Sequence, residues 1–124
     1  MPITWFDYDS LKGSASLYNN NITLNTTATT SLKGAYKVKI GMTEEGNIAI
    51  LPYTKERILM GDLDDELLLD IKFHHSYSRI CSSAIMKELG SRLNLELGTE
   101  PLKFDTSWDN FEGALIIATS KGDN

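Results

Sequence analysis

The densest group of chemically reactive side chains lies in the stretch "HHSYSRIC". It contains His74, His75, Tyr77, Arg79 and Cys81. Imidazole and thiolate are ligands that zinc prefers, and a thiol beside a histidine also suits nucleophilic catalysis. On a strand, however, adjacent histidines point to opposite faces and cannot both join Cys81 in one tetrahedral site. We therefore interpret Cys81 as structural and expect no metal, no cofactor and no enzymatic activity.

A run of carboxylates, "DLDDELLLD", is the second candidate for a site. A calcium loop needs ligands at alternate positions, a central glycine and a closing glutamate, and this run lacks that pattern. It is typical of an exposed acidic turn over residues 62 to 66. Such a turn suits docking of a basic protein partner, and the residues predicted to do so are Asp62, Asp64, Asp65 and Glu66.

Charge limits the choice of partner. The net charge of −5 opposes binding to a polyanion, because nucleic-acid binding relies on lysine and arginine neutralising phosphates. The acids are concentrated between residues 62 and 70, which leaves the rest of the chain close to neutral. A basic face can therefore persist elsewhere. The residues predicted to contact DNA phosphates are Lys37, Lys39, Arg79 and Lys87.

Length and composition predict one domain, residues 1–124, with enough apolar side chains for a core. No apolar run approaches the roughly 18 residues of a membrane helix. The start, "MPITWFDYDS", has neither the basic beginning nor the apolar run of a signal peptide. A single cysteine excludes an intrachain disulfide and fits a reducing compartment. These features predict a cytoplasmic protein without a membrane segment.

The first half of the chain predicts strands around a short helix. Ala15 and Leu17, then Ile22 and Leu24, alternate with polar residues as in two half-buried strands. "NTTATTSLKG" begins with residues that cap helices and ends in a glycine, so it predicts a short helix. "AYKVKIGM" and "IAILPY", separated by "TEEGN", predict a hairpin over residues 35 to 52.

The second half repeats this order. We expect a short turn or strand at 56 to 60, the acidic turn, and a strand through "LLLDIKF". A helix follows from Ser82 or Ser83 to about Leu93, and then the strands "LKFDTSW" and "ALIIATS". The residues expected to share one core are Leu24, Val38, Ile40, Ile50, Ile85, Leu89, Phe104 and Ile116.

The two halves also align with each other. A shift of 56 positions places Ala84 on Ala28 and Gly90 on Gly34. These patterns predict an α+β fold with a tandem βαββ repeat, residues 14–52 and 67–119, and two short helices. A unit of this size cannot enclose its own apolar face, so two copies are expected to cover each other about a pseudo-two-fold axis. Coincidence between α+β patterns is the alternative, because these two identities alone support the aligned segments.

The first unit resembles the AbrB-like family of swapped-hairpin bacterial regulators. The similar segments are "NITLN", "TTATTSLKG" and "AYKVKIGMTEEGNIAILP". A tandem double unit is similar to the MraZ-like members. The resemblance implies a swapped-hairpin-like β-sheet or barrel, a homodimer and DNA binding. At the place where those proteins commonly carry an arginine before the first strand, this chain has Asn21, and Tyr77 in the second unit.

Two functions remain open from the sequence. One is a small non-enzymatic regulator that binds DNA. The other is an acidic interaction module, antitoxin-like or from a mobile element, that docks a basic protein partner. A continuous positive edge on the folded protein would favour the first, and its absence would favour the second.

Overall fold

A computed structural model describes residues 2–3, 5, 11–63 and 66–120. The α+β class is confirmed. The strands are β1 (Ser14–Leu17), β2 (Asn21–Leu24), β3 (Lys37–Met42), β4 (Ile48–Tyr53), β5 (Leu69–Asp70), β6 (Lys72–Phe73), β7 (Ser78–Cys81), β8 (Leu102–Asp109) and β9 (Ala114–Ile117). The helices are α1 (Thr26–Thr30), α2 (Lys55–Leu59) and α3 (Ser83–Leu93).

The described strands form one antiparallel sheet that nearly closes into a barrel. Its order is β5-β3-β4-β9-β8-β1-β2-β7-β6. The two edge strands, β5 and β6, are consecutive in the chain and are separated by Ile71 alone. One short segment therefore pairs with β3 on one side and with β7 on the other. Closing a sheet in this way covers edges that would otherwise be left unpaired.

The pairing pattern is unchanged when the two halves of the sheet are exchanged. The hairpin β1–β2 corresponds to β6–β7, and β3–β4 corresponds to β8–β9. If β5 and β6 are counted as one strand interrupted at Ile71, the contact between β1 and β8 corresponds to that between β5 and β3. Exchanging the halves swaps β2 with β7 and β4 with β9, so these two strand pairs are retained. The topology is thus compatible with a two-fold relation between the halves.

Alternating apolar residues direct one face of the longer strands into the barrel. Leu17, Ile22, Leu24 and Val38 are fully or almost fully buried. The same holds for Ile48 and Ile50 on β4, and for Leu115 and Ile117 on β9. The hydrophobic effect of burying this face is the main force that holds the sheet closed.

Seven of the eight expected core residues lie in or against this core. Leu24, Val38, Ile50 and Leu89 are buried, and Ile40, Ile85 and Phe104 pack against it while half-buried. The prediction for Ile116 is wrong, because its two neighbours on β9 take the inward positions. "ALII" has no polar alternation to set which residues face inward, and a shift of one residue exchanges the two faces of a strand.

The predicted helices α1 and α3 are confirmed, and both begin at a capping side chain. The Asn25 Oδ1 accepts the Ala28 N–H at 3.0 Å, and the Ser82 Oγ accepts the Ile85 N–H at 3.2 Å. These bonds satisfy amide groups that the first turn of a helix leaves unpaired. α3 ends at Asn94, whose φ of 57° is left-handed.

The third helix, α2, corrects the turn or strand that was expected at residues 56 to 60. Thr54 caps it by accepting the Arg57 N–H at 3.1 Å, and "KERIL" consists mostly of good helix formers. None of its residues is buried. A helix without a buried face has no apolar periodicity, so the pattern that reveals other helices is missing here.

Candidate nucleic-acid interface

A row of charged side chains crosses the outside of the barrel from β3 to β7. The backbone register pairs Lys37 with Asp70, and Lys72 with Arg79. Asp70 and Lys72 flank the buried Ile71, so both point away from the core. Directly paired residues of adjacent strands lie on the same face of a sheet. The row therefore reads Lys37, Asp70, Lys72, Arg79 across three neighbouring segments.

Two further lysines extend this row. Lys39 follows Lys37 on the same face of β3. Lys55, at the start of α2, lies over the ring of Tyr36, with its Nζ 6.0 Å from the ring centroid. The Nζ of Lys37 lies 5.8 Å from the same centroid. We call this surface the basic face, and its cations are Lys37, Lys39, Lys55, Lys72 and Arg79.

Two carboxylates partly neutralise the basic face. Asp70 accepts a hydrogen bond from Lys37, and Glu66 is ion-paired with Lys39. These bonds lower the pKa of both carboxyl groups and raise the pKa of both lysines. In the described part of the chain, no carboxylate is ion-paired with Lys55, Lys72 or Arg79. The named cations thus outnumber the acids that pair with them.

Arg79 is held in place by two contacts. Its Nε donates to the Thr23 Oγ1 at 3.3 Å, and its guanidinium lies 5.3 Å from the centroid of the Tyr77 ring. Tyr77 in turn stacks on His74, with centroids 4.5 Å apart and an angle of 16° between the rings. The attraction between the guanidinium and the face of the ring holds Arg79 in position before a ligand binds. Cations beside aromatic rings are typical of surfaces that bind nucleic acids.

The structure brings together three of the four predicted phosphate contacts, Lys37, Lys39 and Arg79. Lys87 is on α3 and is not part of this row. Ser83, at the start of the same helix, lines a small cleft together with Arg79. Lys87 instead lines a cleft between α3 and the β1–β2 turn, beside Asn19 and Asn20.

Sequence reasoning missed Lys72 and Lys55. The exposure of Lys72 could have been predicted from the sequence, because Lys72 follows the apolar Ile71 on a strand and must face the opposite side. The position of Lys55 could not, because its place on the surface depends on α2, which the sequence pattern did not reveal.

The residues predicted to dock a basic protein differ in whether their carboxylates are already bonded within the chain. Asp62 is exposed and has a left-handed φ of 64°. Glu66 is already bound to Lys39 and also accepts a hydrogen bond from the Tyr53 hydroxyl at 3.4 Å. Asp64 and Asp65 lie outside the described residues.

His74 and His75 lie in the turn between β6 and β7, which corrects the strand assumed for them. The His74 N–H donates to the Tyr77 carbonyl at 2.8 Å and closes this turn. Cys81 is exposed at the far end of β7. In the part of the chain that the structure describes, no three His, Cys, Asp or Glu side chains are grouped so as to hold a metal ion. The histidines line a cleft of about 270 Å³ against α1.

Comparisons of this chain with protein-family models, curated proteins and solved structures return no match. Over the described ranges, no helix has the length and apolar character needed to cross a membrane.

Proposed function

We propose that this protein is a small non-enzymatic regulator of the AbrB-like kind, which binds DNA through its basic face. The observation that carries the proposal is the row of Lys37, Lys72 and Arg79 on adjacent strands, extended by Lys39 and Lys55. Phosphates along a DNA strand repeat at regular intervals and attract such a row. The single cysteine fits a reducing compartment and supports a cytoplasmic location.

The ion pairs on the basic face leave room for phosphate binding. Both pairs lie at the surface with one half-buried and one exposed partner, and ion pairs open to water contribute little to stability because water and salt screen them. A DNA phosphate can therefore replace a carboxylate as the partner of Lys37 or Lys39. The protein's overall negative charge repels DNA elsewhere, which directs binding to this face.

We further propose that the chain is a tandem repeat, so that one chain supplies a two-fold arrangement otherwise built by two subunits. The symmetric strand pairing supports this. Two clefts support it as well: one lies between α1 and the β6–β7 turn, the other between α3 and the β1–β2 turn. Their helical lining residues occupy positions 57 apart, Thr26, Thr29 and Thr30 in one and Ser83, Met86 and Lys87 in the other. This shift is one residue longer than the shift of 56 that aligns the sequences of the two halves.

Removing the competing carboxylates tests the DNA proposal. In the double variant Glu66→Gln and Asp70→Asn, Lys37 and Lys39 lose their internal partners without losing their charge. We expect duplex DNA to bind about three- to fivefold more tightly, because the lysines become available to phosphates. Fluorescence anisotropy with labelled duplex DNA measures this change at fixed salt.

A matched control neutralises two exposed acids that lie away from the basic face, Glu96→Gln and Glu100→Gln. It gives the same change in net charge and is expected to alter affinity much less. Equal tightening in both double variants would show that net charge alone matters. Unchanged or weaker binding in the Glu66 and Asp70 variant would contradict a phosphate-contacting role for Lys37 and Lys39.

A further inference from the structure

A second surface lies on the outside of β3, β4 and β9, next to the basic face, with which it shares Lys39. Its floor is a cross-strand row of Gly41, Ala49 and Ile116, which the register pairs in that order. Leu51 continues this apolar floor. Because two of these residues have almost no side chain, the surface is concave. It encloses about 640 Å³, and we call it the β4–β9 groove.

Gly41 gives the groove its unusual feature. It lies within β3, its φ is not positive, and a Cβ built on it would meet nothing within 4 Å. Among the residues that the structure describes, neither backbone geometry nor packing therefore requires a glycine at position 41. Glycine within a strand weakens it, and it often marks a place where a ligand or another backbone approaches closely.

Carboxylates stand at both ends of the groove. Glu44 and Glu45 lie in the β3–β4 turn at one end, and Asp109 and Glu112 lie at the β8–β9 turn at the other. Asp109 also accepts the N–H groups of Phe111 and Glu112, which fixes its position. The one cation on the described lining is Lys39, which is paired with Glu66. The groove is thus apolar in the middle and acidic at both ends.

We propose that the β4–β9 groove binds a protein segment that carries an apolar side chain flanked on both sides by lysine or arginine. The apolar side chain would cover Ala49 and Ile116, close to Gly41. The flanking cations would meet the two pairs of carboxylates, and such charge complementarity selects a partner and fixes its orientation. This surface adjoins the basic face and shares Lys39 with it, but the floor and the two acidic ends belong to the groove alone, so the proposal does not depend on DNA binding.

Selection from a random-peptide display library on the immobilised full-length protein tests this proposal. We expect enriched peptides to share an apolar residue with basic residues on both sides. An enriched peptide, labelled and titrated by fluorescence anisotropy, should bind at least fivefold more weakly to Gly41→Val. The valine fills the groove where none of the described residues obstructs it. Its β-branched side chain also favours a strand, so the melting temperature should not fall.

Charge reversal provides the second arm. Glu44→Lys with Glu112→Lys places one cation at each end and should abolish peptide binding. Glu96→Lys with Glu100→Lys changes the net charge equally, away from the groove, and should leave most of the binding. The proposal is overturned if no peptide is enriched, if enriched peptides lack basic residues, or if Gly41→Val binds as the wild type does. Self-association that Gly41→Val abolishes, seen by analytical ultracentrifugation, would assign the groove to a second copy and would also overturn it.

Discussion

Truncation of Leu89 to alanine is expected to lower the free energy of unfolding by about 2–5 kcal/mol, the usual cost of truncating a buried leucine. Leu89 is 4% exposed and lies in the core, where α3 covers the barrel. The lost free energy has two parts: the favourable transfer of the removed methyl groups out of water, and the cost of the cavity that they leave. Urea denaturation followed by circular dichroism measures it.

Leu59→Ala is the matched control for this prediction. Leu59 belongs to α2 and is 75% exposed, so the same substitution there should change stability by less than about 0.5 kcal/mol. A loss below about 0.5 kcal/mol for Leu89→Ala would mean that α3 packs with a different face.

Replacing Lys37 and Lys39 together by alanine is expected to weaken DNA binding about tenfold at low salt, because two phosphate contacts disappear. The slope of log K against log salt concentration should become shallower by up to about 1.8, since each contact contributes about 0.9. The loss should be similar for unrelated DNA sequences, because phosphate contacts carry no direct base information. Anisotropy titrations over a salt series measure both quantities.

Lys87→Ala with Lys103→Ala removes the same charge from other parts of the surface. This control should bind DNA within about threefold of the wild type and keep its salt slope. If instead the control loses as much affinity and slope as the Lys37 and Lys39 variant, the DNA contacts are spread over the protein and the basic face is not the interface.

The strands and the two capped helices could be predicted because local sequence patterns mark them. Leu17 and Leu24 alternate with polar neighbours, and Asn25 and Ser82 precede helical segments as caps. Ile116 could not be placed from its neighbours, because "ALII" contains no polar residue to mark the outer face. α2 could not be predicted, since a helix without a buried residue has no apolar stripe.

The candidate interface was harder to predict, because it depends on contacts between distant segments. That Lys37 and Lys39 share a face follows from their spacing on one strand. Their pairing with Asp70 and Glu66 does not, because it requires the register between β3 and the segment that closes the barrel. The same register brings Lys72 beside Arg79. No sequence pattern marks Gly41 as part of a groove, since the groove exists only once β3, β4 and β9 are paired.

The most direct test of the central claim is the affinity of the wild-type protein for duplex DNA, measured by anisotropy between about 50 and 200 mM salt. Three cations of the basic face have no carboxylate partner among the described residues, and five are present in all. The expected slope of log K against log salt therefore lies between about −2.7 and −4.5, at about 0.9 for each phosphate neutralised. A protein that fails to bind DNA at about 50 mM salt, or that binds with a slope near zero, would contradict the assignment of the basic face to DNA.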